Sequence, residues 1–300
     1  VIDQLCSTGE ATHSKKGGTL RTGVATLPDL DQDATDRNRT SPFAFTGNKF
    51  EFRMVGSSDS IAPPNVVLNT IVAEAFKEAA DELEKAEDFD MAVHDLIKKL
   101  LKEHRRIIFN GNGYSNAWVE EAEKRGLPNI RSMVEAIPAL TTEKAVKLYE
   151  EFGVFTRAEL ASRAEVEYEA YSKVINIEAR TMIDMAGKQI IPAAIKYTTQ
   201  LAKSLNQVKA ACPEADTSVQ AELLTETSAM LSDMKVALAA LTDITEKCSG
   251  LEEGKEKAHA YYNKVVPAMA ALRDPADRLE MIVDKELWPF PSYGDLIFEV

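Results

Sequence analysis

The spacing of apolar residues changes along the chain, from period two before residue 56 to a helical period after Val66. From Val66 onward, apolar residues recur at intervals of three and four, with charged residues between them, as in amphipathic helices. Before residue 56 the pattern indicates short strands at 19–24 and 43–55. The sequence therefore predicts a mainly α protein with a small β portion. Helices are predicted at 66–86, 91–109, 118–125, 132–140 and 142–152.

A set of longer helices is predicted in the second half of the chain. Thr156 followed by Glu159 is the signature of a capping box, which opens a long helix. Apolar stripes then continue through three segments joined by short turns at 212–216 and 249–250, which favours an antiparallel helical bundle. Pro192 and Pro267 are expected to kink their helices. The three segments are 176–211, 217–248 and 251–272.

The C-terminal part is predicted to be a last helix followed by a tail. Pro275 after Asp274 is typical of the first helical position, so we predict that a helix begins there and continues to about Leu287. The aromatic segment 288–300 is predicted to be extended.

Composition narrows the class of protein. The net charge of −13 argues against a nucleic-acid-binding surface and against binding to anionic membranes. The three cysteines show no disulfide or zinc spacing, so a cytoplasmic location is expected. We find no apolar run long enough for a membrane span and no signal peptide. The chain starts at Val1 without a methionine, and we expect it to be a piece of a longer protein.

Residues 49–55 form the most informative segment. At strand period, Lys49, Glu51 and Arg53 share one face, about 7 Å apart in succession, and Phe50 and Phe52 share the other. A carboxylate between two cations suits a divalent metal beside phosphate oxygens. A solvated strand with cross-strand ion pairs is the alternative for this pattern taken alone.

The residues before this strand narrow the interpretation. A loop containing Arg37, Asn38, Arg39 and a proline runs through F-A-F-T-G-N into the strand. The sixteen residues 38–53 resemble, in order and without a gap, the signature N-R-T-S-P-F-A-F-T-G-N-K-F-E-F-R of type III glutamine synthetases. Segments 109–115 and 288–295 also resemble segments of that family. The resemblance extends over roughly residues 18–300.

This resemblance implies roles for four residues. Glu51 is the implied ligand of a divalent cation, Mg²⁺ or Mn²⁺, because such hard cations prefer carboxylate oxygen. Arg39 and Arg53 are the implied catalytic, phosphate-contacting arginines, whose guanidinium forks suit a phosphoryl group in transfer. Lys49 is implied to contact the nucleotide phosphates together with them, as a point charge without the fork.

The resemblance also implies a fold and a reaction. Residues 1–140 would be the C-terminal part of a catalytic α+β barrel, 141–287 a helical bundle and 288–300 a tail. The whole enzyme would use ATP, glutamate and ammonia to make glutamine through γ-glutamyl phosphate. Family members assemble as dodecamers, so a homo-oligomer is expected. The other metal ligands and the glutamate-binding loop would lie upstream of Val1.

Two other interpretations remain open. The chain could be a non-catalytic relative or fragment whose helical bundle serves assembly or partner binding, or simply a helical interaction protein. The intact Lys49, Glu51 and Arg53 favour the enzyme over both. One departure from the family pattern is Pro63, which stands where glycine is usual before Pro-Asn and fixes φ near −65°.

Overall fold

A computed structural model describes residues 2–8, 19–20, 30–31, 43–45, 50–52, 59–109, 112–113 and 115–298. The chain divides into two compact units, which are described separately. The first comprises Val1–Arg131 and Lys147–Val154, and the second comprises Ser132–Val146 and Phe155–Val300. The predicted boundaries between the catalytic part, the helical bundle and the tail, at 140/141 and 287/288, stay predictions.

The described strands of the first unit form two short antiparallel pairs. Because the strands have two or three residues each, they do not test the predicted barrel, which stays a prediction. In one pair Thr19 lies opposite Asp31, and in the other Ala44 lies opposite Glu51. The strands are β1 (Thr19–Leu20), β2 (Leu30–Asp31), β3 (Phe43–Phe45) and β4 (Phe50–Phe52).

Helices make up most of the rest of this unit: the one at 2–8 was not predicted, and the other three differ from the predicted bounds. α2 begins at Ala62, before the two prolines rather than after them. Proline fits there because N–H groups of the first turn have no partner within a helix. α3 begins after Asp88, whose carboxylate accepts a hydrogen bond from the Met91 amide at 3.1 Å. The helices are α1 (Ile2–Thr8), α2 (Ala62–Leu83), α3 (Phe89–Glu103) and α4 (Asn116–Lys124).

α3 ends earlier than predicted. It stops at Glu103, and a single 3₁₀ turn at Arg105–Ile107 replaces the last predicted helical turn. α4 ends as predicted, because Gly126 has a φ of +68° that favours glycine. Two short helices follow, α5 (Met133–Ala136), which continues into a 3₁₀ turn at Ile137–Thr141, and α6 (Glu143–Glu151).

The predicted capping box is present at the start of α7 (Arg157–Met185). The Thr156 hydroxyl accepts from the Glu159 amide, and the Glu159 carboxylate accepts from the Thr156 amide at 2.8 Å. α7 does not end before residue 176 as predicted. It continues through a π-turn at Ala186–Ile190 into α8 (Ile191–Ala211), so the chain is helical throughout 157–211.

The remaining long helices follow the predicted turns closely. α9 spans Ser218–Ser249, after a turn in which Lys209 Nζ donates to the carbonyls of Pro213 and Ala215. The next stretch consists of α10 (Lys255–Ala260), a π-turn at Tyr261–Val265 and α11 (Val266–Glu280).

Both π-turns precede a proline by the same distance. Pro192 and Pro267 each lie at the second residue after the π-turn ends. The amide of Ile191 bonds to the Ala186 carbonyl five residues back, and that of Val266 bonds likewise to Tyr261. A proline cannot donate to the helix and its ring crowds the carbonyl four residues before it. The extra residue of a π-turn is one way to accommodate that defect, so the predicted interruptions take this form.

Two predictions for the C-terminal part are wrong. Pro275 does not start a helix; it lies inside α11, where it is buried with Leu272 and Leu279, and α11 ends at Glu280 rather than near Leu287. Burial of this apolar stripe offsets the hydrogen bond that the proline removes. The tail is not extended throughout, because Tyr293–Phe298 form a short helix, α12. Its start is fixed by Asp295, whose carboxylate accepts from both the amide and the hydroxyl of Ser292.

The main core of the second unit is organised around α9, which packs against α7, α8 and α11. Lys257 is a buried cation at its edge, and its Nζ donates to the Ser249 carbonyl at 3.1 Å and to Glu253 Oε1 at 2.7 Å. No helix among the described residues is long and apolar enough to cross a membrane. The most buried apolar residues of α9 are Met230, Met234, Leu241 and Cys248.

Candidate functional site

The structure describes one of the four predicted site residues. Glu51 is the central residue of β4 and pairs with Ala44 of β3, while Phe50 pairs with Phe45 and Phe52 with Phe43. Successive strand positions belong to opposite faces, so position 51 lies on the other face of the ladder from positions 50 and 52. Every strand alternates in this way, so the shared face predicted for Lys49, Glu51 and Arg53 stays a prediction. Arg39, Lys49 and Arg53 lie outside the described residues, and their roles stay predictions.

The described part of the chain contains no group of three or more His, Cys, Asp or Glu side chains that could hold a metal ion. His259 lies beside Tyr168, with ring centroids 6.5 Å apart. Glu51 is the metal ligand that the family resemblance implies, a carboxylate of the kind that Mg²⁺ and Mn²⁺ prefer, and this role stays a prediction.

A second cluster of side chains, in the first unit, joins the end of the 3₁₀ turn at Arg105–Ile107 to α4. Phe109 stacks on Trp118 with ring centroids 4.2 Å apart, and the Arg125 guanidinium lies over the Trp118 ring at 5.7 Å. This stacking holds Phe109, which follows the 3₁₀ turn, against α4.

Arg125 is the residue of this cluster that the sequence did not single out. Its Nη1 donates to the carbonyls of Arg106 at 3.2 Å and Ile108 at 2.8 Å, and its Nε donates to Glu121 Oε1 at 2.6 Å. The carbonyls belong to the end of a 3₁₀ turn, where they have no partner within the turn. An arginine close after a tryptophan on a short helix was the available signal. It did not reveal which carbonyls the guanidinium would reach.

The second unit has a surface cavity of about 360 Å³ between α7 and the start of α10. Tyr168 lies at its base, and burial together with the Glu165 carboxylate raises the pKa of its phenol. Its polar residues form no nucleophile–base pair or metal cluster, so the cavity offers no identifiable chemistry. The lining includes Pro138, Thr141, Ser162, Glu165 and Lys255.

Comparison with known proteins identifies relatives over nearly the whole chain. A family model described as the glutamine synthetase C-terminal domain matches residues 92–209, from within α3 to near the end of α8. A glutamine synthetase of Bacteroides fragilis (strain YCH46) is 37% identical over 288 residues, which are 93% of this chain. A type-3 glutamine synthetase of Dictyostelium discoideum is 36% identical over 286 residues, 92% of the chain.

A third relative, a glutamine synthetase of Butyrivibrio fibrisolvens, is 35% identical over 278 residues, or 90% of this chain. The chain spans only part of these relatives, covering 40%, 38% and 39% of their respective lengths. The matches include a relative named as type 3, the form that the sequence resemblance indicated. The chain therefore belongs to the glutamine synthetase family.

Proposed function

We propose that this chain is the C-terminal part of a type 3 glutamine synthetase and forms one wall of its active site. The observation that carries the proposal is the uninterrupted sixteen-residue segment 38–53, which supplies a carboxylate and three cations in a chain whose relatives are named glutamine synthetases. The proposed reaction is the ATP-dependent ligation of glutamate and ammonia.

The reaction has two steps. The side-chain carboxylate of glutamate attacks the γ-phosphorus of ATP, so that γ-glutamyl phosphate forms and ADP leaves. Ammonia then attacks the acyl carbon, phosphate departs and a proton is lost, which gives glutamine. Arg39 and Arg53 would hold the phosphoryl oxygens, whose negative charge is spread over three atoms during transfer. Lys49 would hold the nucleotide phosphates.

Glu51 is the candidate metal ligand. A bound Mg²⁺ or Mn²⁺ would neutralise phosphate charge and orient the phosphates. Glu51, the central residue of β4, fits that role chemically because hard cations prefer carboxylate oxygen. A single carboxylate does not complete a site, so further ligands must come from other parts of the full protein.

The proposed enzyme acts as a homo-oligomer in the cytoplasm. Family resemblance supports a dodecamer, and the helical bundle offers surface for contacts between subunits. The alternative is that the chain contributes only assembly or partner binding, with an inactive strand face. The two proposals differ in one observable, namely whether the charges of residues 49–53 matter for turnover.

The test uses the full-length protein with Glu51→Ala and Glu51→Gln, each measured for phosphate release dependent on glutamate and ammonia. We expect both variants to lose several orders of magnitude in turnover, because unscreened phosphate charge opposes the transfer. Glu78→Gln on α2, an exposed carboxylate, serves as the control and should be unchanged. Near-normal turnover of Glu51→Gln at saturating metal would favour the non-catalytic alternative.

A further inference from the structure

Four apolar residues form a stripe along the exposed side of α7: Val166, Ala170, Val174 and Ile177. Their spacing of four, four and three residues places them within about 80° of arc around the helix. Val166 is 60% exposed, Val174 52% and Ile177 64%, and Ala170 is exposed as well. Isolated exposed apolar residues are common on proteins, but an aligned row of them indicates a contact surface.

The opposite side of α7 packs into the core of the second unit, so the helix carries apolar residues on two sides. β-Branched residues restrict their own rotamers in a helix and lower its stability slightly relative to alanine or leucine. Val166, Val174 and Ile177 bring that cost without the burial that would offset it within this chain. The core-facing residues are Leu160, Ala164, Tyr168, Ser172 and Ala179.

Opposite charges flank the stripe. Lys173 lies on one side of it and Glu178 on the other, and both are exposed. Lys173 pairs with Glu169 on its own helix, with 63% of its side chain still exposed. In two parallel helices that pack along such stripes, residues five apart on facing chains come together and form ion pairs. Lys173 and Glu178 have that separation.

We propose that this stripe is a self-association surface at which α7 packs in parallel against α7 of a second copy of the protein. The two-fold arrangement buries Val174 and Ile177 against their counterparts. It places Lys173 of each copy beside Glu178 of the other, once on each side of the seam. A partner with other charges would lack this self-complementarity. The proposal does not rest on glutamine synthesis.

Disulfide trapping in the intact protein tests the contact between the two α7 helices. It reports on that contact even if the subunits also touch elsewhere. Cys212, the exposed native cysteine among the described residues, is replaced by serine, since Cys6 and Cys248 are buried. Ile177→Cys is then oxidised at low protein concentration and analysed on a non-reducing gel. We expect most of the protein to form cross-linked dimers. Val236→Cys on α9 is the control, 71% exposed but away from the stripe. Cross-linking of Ile177→Cys no greater than that of the control would overturn the proposal.

Charge exchange tests the parallel arrangement. In the Ile177→Cys background, Lys173→Glu should lower the rate of cross-linking several-fold, because it places two carboxylates together on each side of the seam. Adding Glu178→Lys should restore that rate. If the double variant cross-links as slowly as Lys173→Glu alone, the two helices are not parallel in this register and the proposal fails. Circular dichroism of each variant verifies that α7 is still folded.

Discussion

A Cβ atom placed on Gly254 would lie 3.1 Å from Oε2 of Glu165. Gly254 is buried at the start of α10 and has a φ of +115°, which side-chain-bearing residues rarely adopt. The backbone conformation is therefore what requires glycine at this position, because the Glu165 carboxylate ends an exposed, flexible side chain that can move aside.

Gly254→Ala should destabilise the second unit by about 1–3 kcal/mol, because alanine is strained at this φ. Gly250→Ala is the matched control. Gly250 has a φ of −78°, and a Cβ there would meet its nearest neighbour, the Lys247 carbonyl, at 3.7 Å. We expect the control to be neutral or slightly stabilising in urea denaturation. Equal effects of the two substitutions would contradict the interpretation.

Arg125→Lys should destabilise the first unit by about 1–2 kcal/mol. Lysine can keep the pair with Glu121, but it lacks the fork that also reaches the carbonyls of Arg106 and Ile108. The measurement is denaturant unfolding followed by Trp118 fluorescence in a Trp288→Phe background. The control is Arg131→Lys, an exposed residue. An unchanged Trp118 transition would show that the carbonyl contacts contribute nothing.

The contacts that anchor α12 should weaken at acidic pH, because the Asp295 carboxylate that makes them becomes protonated. The Lys285 ammonium 2.5 Å from Oδ1, together with the Ser292 amide and hydroxyl, lowers the pKa of Asp295 from 3.8 to about 2. Because the pKa is lowered in the folded state, the stabilisation is complete above about pH 4 and is lost as the pH falls through about 2.

A carboxyl-detected NMR titration measures the midpoint of Asp295 directly. Lys285→Ala removes the largest cause of the shift, so the midpoint should move upward toward the ordinary value of aspartate. Lys255→Ala, an exposed lysine at the start of α10, should leave it unchanged. A midpoint near 4 in the unmodified protein would contradict the prediction.

The 300-residue chain expressed alone should form no glutamine from glutamate, ammonia and ATP with Mg²⁺ or Mn²⁺. It offers one candidate metal carboxylate, Glu51, and no candidate glutamate-binding loop. Its circular dichroism should nevertheless be strongly helical. Phosphate release that depends on both glutamate and ammonia would mean that the chain contains a complete site, and the expected upstream ligands would then be unnecessary.

The sequence by itself determined the elements whose signals are local. Each of these signals depends on residues within one helical turn of each other. They are the Thr156–Glu159 capping box, the end of α4 at Gly126, the end of α9 near Gly250 and the turn at 212–216. The family was likewise evident from one uninterrupted segment, because the order of residues 38–53 does not depend on their surroundings.

Only the tertiary structure decided what happens at the prolines and at Arg125, the residue that follows α4. Pro192 and Pro267 follow π-turns, whereas Pro275 is tolerated within α11 because its ring is buried with the core. The free energy that a proline costs a helix can be offset by the packing of its ring. Its neighbours in sequence do not specify that packing, so the three prolines have different outcomes. Arg125 reaches carbonyls nearly twenty residues away, a contact that exists only after the chain has folded.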